Sequence, residues 1–153
     1  MSKTPIKRHP ALQPLSREHH QGLLLVFKIG KGLERGVAPE RIHRYILWFY
    51  EQYLKAHFKA EEKYLFTLLE ANDEGVQQAL EDHHQINSWV MKKEVGEVDL
   101  MKFKQLLERH IRFEERQLFN RIQEESSKAE LAQLALNLEE EDFCHLYEDE
   151  FWK

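Results

Sequence analysis

Two stretches of this chain carry the same ten-residue design. Residues 57–66 read HFKAEEKYLF and residues 110–119 read HIRFEERQLF. His57/His110, Glu61/Glu114, Glu62/Glu115, Leu65/Leu118 and Phe66/Phe119 are identical, and Lys59/Arg112 and Lys63/Arg116 are like-charge exchanges. A second pair of near-copies comes before them: EHHQ at 18–21 and DHHQ at 82–85. In H-x-x-x-E the imidazole and carboxylate lie four residues apart, roughly 6 Å along a helix axis and on one face. Imidazole and carboxylate together suit iron and other first-row metal ions rather than calcium or magnesium.

Helices must position these groups. Met1–Pro14 carries Pro5, Pro10 and Pro14 and reads as an extended lead-in, with Ser16 as the N-cap of a first helix over 16–35. Gly36 and Pro39 break the pattern, and a second helix over 39–71 sets Tyr50, Leu54, His57, Glu61, Leu65 and Leu68 along one side. The turn Asn72-Asp73-Glu74-Gly75 ends it. A third helix over 75–94 carries Val76, Leu80, His83, Ile86 and Val90 in phase. A fourth runs from an Asp99 cap to Glu125 with Phe103, Leu106, His110, Phe113, Glu114 and Leu118 inward. Ser127 and Glu130 have capping-box spacing for a short fifth helix. The expected fold is all-α: an antiparallel up-down-up-down four-helix bundle over 15–125, between a lead-in at 1–14 and a C-terminal helix and acidic, aromatic tail at 126–153.

Packing alone asks only for apolar residues at a repeated phase, so it leaves the duplicated His and Glu unexplained. Of the adjacent pairs, phase favours His19 over His20, with Leu15 and Leu23 four residues to either side. It favours His83 over His84, with Leu80 and Ile86 three residues away. The bundle interior then receives His19, His57, Glu61, His83, His110 and Glu114. Buried carboxylates are costly without a cation. Four imidazoles and two carboxylates exceed one tetrahedral zinc site but suit two octahedral ions bridged by Glu61 and Glu114. Each ion keeps a position for a small ligand. Manganese and zinc compete with iron for such donors.

The order His, H-x-x-x-E, His, H-x-x-x-E, carried by LSREHH, HFKAEEKYLF and HIRFEERQLF, resembles the hemerythrin family of the HHE cation-binding type, from about Leu15 to Ile122. The resemblance implies a four-helix bundle holding a non-haem di-iron centre that takes small ligands such as dioxygen. It also implies metal-ligand roles for His19, His57, Glu61, His83, His110 and Glu114. The oxygen carriers of that family place a second His four residues on in the third helix and an Asp in the fourth. Here those features are Asn87 and Glu114. The symmetric set is closer to the bacterial di-iron proteins that repair iron centres after nitrosative stress, which carry a Cys-containing N-terminal domain not found here.

Composition bounds the remainder. The chain has 153 residues, a net charge of -5 from 22 basic and 27 acidic residues, and 32% charged residues, which argues for one domain and against bulk-charge binding to nucleic acid. One Cys excludes an internal disulfide, and no apolar run approaches the roughly 20 residues that span a bilayer. The N-terminal stretch lacks the apolar core of a signal peptide, so a cytoplasmic location is expected. Glu62 and Glu115, about 140° from the metal stripe in an ideal helix, are expected to pair with Lys or Arg on the surface. Tyr50, Tyr53 and Tyr64 read as core, and His9, His43 and His145 as exposed. Cys144, in an acidic stretch, reads as inert. The leading function is binding, sensing or storing dioxygen or a related small ligand at an open position on two iron ions. A di-iron redox enzyme acting on nitric oxide or peroxide, or repairing iron centres, comes second. A ferritin-like oxidase, which uses E-x-x-H, and a metal-free helical module follow. No protein partner is indicated.

Overall fold

The computed structural model describes residues 7–138 and 147–153, and every element among them is helical. A single 3-10 turn, Pro10–Leu12, leads into α1, Gln13–Glu34. A second rod, α2, runs over 39–68. It is α-helical at Pro39–Phe49 and Lys55–Ala60, opens into π-turns at Tyr50–Leu54 and Glu61–Leu65, and closes on a 3-10 turn, Phe66–Leu68. Helix α3 is Glu74–Val90. The fourth rod, α4, runs over 97–125 as Glu97–Phe113, a π-turn Glu114–Leu118, and Phe119–Glu125. The short α5 is Lys128–Asn137.

The ends of these rods follow from local chemistry. Gly36, at φ 70°, closes α1. The amide of Val37 donates to Gly32 O at 2.9 Å and that of Gly36 to Leu33 O at 3.2 Å, the pairing of a Schellman cap. Pro39 occupies the first turn of α2, where no amide donor is needed. Asp73 caps α3 by accepting from the Val76 amide at 3.1 Å. The box at α5 is reciprocal: Ser127 N donates to Glu130 Oε1 at 2.8 Å and Glu130 N to Ser127 Oγ at 3.1 Å.

Some expectations need correction. The lead-in expected to be extended over 1–14 is helical from Pro10, because Ala11 and Leu12 are buried against Phe119, Leu131 and their neighbours. Ser16 therefore lies inside α1 rather than capping it. Gly96, not Asp99, is the N-cap of α4; Asp99 accepts from the Gly96 amide at 2.9 Å. His43, expected to be exposed, is buried edge-on to Trp89 at 5.6 Å. Its apolar surroundings push its pKa down. Pro5, Cys144 and His145 lie outside the described residues.

The core falls into two apolar blocks. One contains Leu25, Ile29, Ile42, Tyr45, Ile46, Phe49, Phe103 and Leu107. The other contains Leu12, Leu15, Leu65, Phe66, Val76, Leu118, Phe119 and Ile122. Between the blocks on each rod stand His19, His57 and Glu61, His83, and His110 and Glu114. Apolar layers on both sides keep water from this polar layer, so its charges must be satisfied from within. A close approach of α1 and α4 helps to seal it. A Cβ on Gly22 would lie 2.7 Å from Ile111 Cδ1.

Candidate metal centre

All six side chains expected as ligands converge. His19, His57, Glu61, His83, His110 and Glu114 are each at most 3% exposed, whereas His20 and His84 face solvent. Their nitrogen and oxygen atoms form two overlapping groups: His19, His57, Glu61 and Glu114, and Glu61, His83, His110 and Glu114. Within each group the potential ligand atoms lie within 4.8 Å of one another. The two imidazole pairs repeat each other. His19 and His57 have ring centroids 4.9 Å apart at 66°, and His83 and His110 stand 4.9 Å apart at 69°.

The glutamates lie between the pairs. Glu61 turns Oε2 toward His57 Nε2 at 3.3 Å and His19 Nε2 at 3.4 Å, and Oε1 toward His83 Nε2 at 3.1 Å. Glu114 Oε1 lies 2.9 Å from His19 Nε2 and 3.0 Å from His110 Nε2. Each carboxylate thus addresses both imidazole pairs, the geometry a bridging ligand needs.

Electrostatics carry the same signature. Burial lowers the pKa of each imidazole, but the facing carboxylates outweigh it. Glu114, Glu115 and Glu61 hold His19 well above its ordinary range. Glu61 and Glu18 raise His57 to about 9, and Glu114 and Asp82 raise His110 to about 10. His83 is raised by Glu61 and Glu62. Burial pushes Glu61 up, yet His57, His19 and His83 bring it well below the usual carboxylate range. The pocket favours positive charge wherever its nitrogens meet its oxygens. A donor set of four imidazoles and two carboxylates fits first-row dications. Buried atoms without a hydrogen-bond partner point the same way: His57 Nε2, His110 Nε2, Glu61 Oε2 and Glu114 Oε2.

Residues 11–122 match the hemerythrin HHE cation-binding domain. The chain belongs to the hemerythrin family. Comparison with curated proteins and with solved structures gave no match. A hemerythrin domain is a non-haem cation-binding unit, and in this chain the buried His and Glu clusters are where a cation can be held. Among the described residues no helix is long and apolar enough to cross a membrane.

A second ring of carboxylates surrounds the hemerythrin centre. His57 Nδ1 donates to Glu18 at 2.7 Å, His83 Nδ1 to Glu62 at 2.7 Å and His110 Nδ1 to Asp82 at 3.1 Å. Such an acceptor fixes the ring and turns Nε2 inward as the donor atom. Glu62 was expected to pair with a surface cation and instead holds His83. Glu115 does pair with Arg8, at 3.1 Å, and it also accepts from Ser16 at 3.0 Å and leans toward His19. The expectation from the ideal-helix angle thus fails for Glu62 and holds for Glu115, which faces His19 besides. A π-turn begins at Glu61 and another at Glu114, closed by Phe66 N–H to Glu61 O and Phe119 N–H to Glu114 O. A usable signal was in the sequence: the acidic residue opening each HHQ and the second Glu of each repeat are duplicated along with the ligands.

Asn87, where the oxygen carriers have a further His, accepts a hydrogen bond from Tyr50 OH at 2.6 Å. Tyr50 and Asn87 thereby satisfy each other. Beside His57 and Glu18 a cavity of about 350 Å³ is lined by Leu15, Tyr53, Ala60 and Tyr64.

Proposed function

We propose that this protein binds two iron ions and takes up dioxygen, or a related small ligand such as nitric oxide, at a position the protein leaves open. His19 and His57 hold one ion, His83 and His110 the other, and Glu61 and Glu114 bridge them. The reading rests on one observation: two carboxylates lie at zero exposure between two like pairs of imidazoles. Bound iron would supply an open coordination position and a change of oxidation state.

The chain's own residues bind, orient and exclude water. Glu18, Glu62 and Asp82 set the imidazole tautomers by accepting from Nδ1. Phe58 stacks on His83 at 3.9 Å and Phe119 on His19 at 5.0 Å, keeping the rings from turning. The cavity beside His57 gives a small ligand a side from which to approach. In this reading the bundle runs up-down-up-down and antiparallel, which the short connections favour. In the same reading the protein acts in the cytoplasm without nucleic acid or membrane and is nearer the bacterial di-iron type than the oxygen carriers, which the symmetry of the His and Glu set supports.

Iron loading under anaerobic conditions followed by exposure to air tests this. Near-ultraviolet charge-transfer absorption that is absent from His57→Ala and His110→Ala is expected. Folded wild-type protein that never develops it contradicts the reading. Uptake that stops at stoichiometric ligand supports binding or sensing, whereas sustained turnover of nitric oxide or peroxide would favour an oxidoreductase.

A further inference from the structure

The two halves of the centre differ in the support given to their imidazoles at Nδ1. His57, His83 and His110 each have a carboxylate bonded to Nδ1. His19 Nδ1 has no hydrogen-bond partner, and Glu115 Oε1 stands 3.6 Å away. In the repeat, Glu115 corresponds to Glu62, which reaches His83 at 2.7 Å.

What draws Glu115 aside is visible. Its Oε2 accepts from Ser16 Oγ at 3.0 Å and pairs with Arg8 Nη2 at 3.1 Å. Arg8 is itself fixed, donating to Glu115 O at 2.7 Å, Asn120 Oδ1 at 3.1 Å and Gln123 Oε1 at 3.2 Å. Its guanidinium lies over Phe119 at 5.4 Å, and Phe119 stacks on His19. A carboxylate shared with a guanidinium and a hydroxyl gives less negative potential to a third group.

We propose that Arg8, acting through Glu115, makes the two ion positions unequal, so that the His19–His57 position holds its ion more weakly than the His83–His110 position. The proposal rests on the metal reading above and names Arg8 as a positioning residue for it. A carboxylate bonded to Nδ1 raises the donor strength of Nε2 and fixes the ring; its loss typically weakens metal binding about 10–100-fold. His83 and His110 both have this support, whereas the other position has it at His57 alone. The cavity lies beside His57 and Glu18, on the side of the weaker position.

Equilibrium titration of the metal-free full chain with cobalt(II), followed by its visible ligand-field absorption, reads the two positions directly. Wild type should bind in two phases separated by about 10-fold or more. Glu62→Gln should weaken the tighter phase by about 10–100-fold. Glu115→Gln should move the weaker phase far less, because its bond to His19 is not made. Arg8→Ala and, independently, Ser16→Ala release Glu115 toward His19 and should draw the weaker phase toward the tighter. Arg8→Lys, which keeps the charge, should leave the phases apart. Two equal phases in wild type, or a weaker phase that Arg8→Ala and Ser16→Ala leave unmoved, would overturn the inequality while the metal reading stands. A folded chain that takes up no cobalt would overturn both.

Discussion

Asp82 and His110 face each other at 3.1 Å in the sealed middle of the bundle, with Asp82 at zero exposure and His110 at 1%. Asp82 is on α3 and His110 on α4, so the bond ties two rods together at the level of the centre. Gln78 and Arg109 also donate to Asp82, at 3.0 Å and 3.2 Å. Burial raises the Asp82 carboxyl, but the bond to His110 outweighs it and keeps it below the usual range.

Replacing Asp82 should therefore act on stability and metal binding together. Asp82→Ala leaves His110 Nδ1 unpartnered in a dry interior, a cost of about 1–3 kcal/mol. It should also weaken metal binding by about 10–100-fold. Asp82→Asn keeps an acceptor oxygen of the same shape and should lose less of both. Denaturant unfolding and metal titration of the two variants give the comparison.

Metal removal should lower the melting temperature. An ion bound at 100 times its Kd contributes about 2.7 kcal/mol, which in a chain of this size corresponds to about 5–10 °C. Thermal unfolding with and without a strong chelator measures it, and the difference should vanish in Glu61→Ala/Glu114→Ala.

Phe58 is an apolar wall of the site, stacked on His83 at 3.9 Å and edge-on to His110 at 5.8 Å. Phe58→Ala should destabilise the fold by about 3–5 kcal/mol through the cavity it leaves. It should also loosen metal binding, because two rings lose their support. Phe58→Leu should recover most of the stability in the same unfolding experiment.

The α3 cap makes a prediction far from the centre. Asp73 accepts from the Val76 amide at 3.1 Å and pairs with Arg121 on α4, which holds its carboxyl below the ordinary 3.8. Asp73→Ala should cost about 1 kcal/mol at neutral pH. Because the folded pKa is the lower one, the wild-type advantage is full above about 3.8 and lost as pH falls through the folded value. Unfolding of both proteins across that range should show the difference closing on the acid side.

The convergence of the six side chains was legible because duplication and phase are both written into the chain. His57 and Glu61 recur as His110 and Glu114, on the stripe that also carries Leu65 and Leu118. The turn at 72–75, the cap at Ser127 and the break at Gly36 were legible for equally local reasons, whereas the role of Asp73 as the α3 cap was not read. The π-turns were not: opening a turn at Glu61 or Glu114 is decided by how the rods pack, and no residue in EEKYL or EERQL demands it. Nor were the contacts of Glu62 with His83 and of Glu115 with His19, which depend on how the rods face one another. The start of α1 was missed because Pro10 and Pro14 look like breakers, yet both fall in first turns, where a missing amide costs nothing. The described part of the acidic, aromatic tail packs on the second rod. Phe151 is buried, Tyr147 and Phe151 meet Tyr45 edge-on at 4.8 Å and 5.6 Å, and Asp149 pairs with Arg41.

In the proposed function, buried Glu61 and Glu114 are neutralised by two metal ions held among four imidazoles. Iron content per chain, measured after anaerobic reconstitution and removal of free iron, tests it most directly. About two irons per wild-type chain are expected, and none retained by Glu61→Ala/Glu114→Ala. Wild-type protein with intact helical circular dichroism that retains no iron, or that retains as much as the double variant, would contradict it.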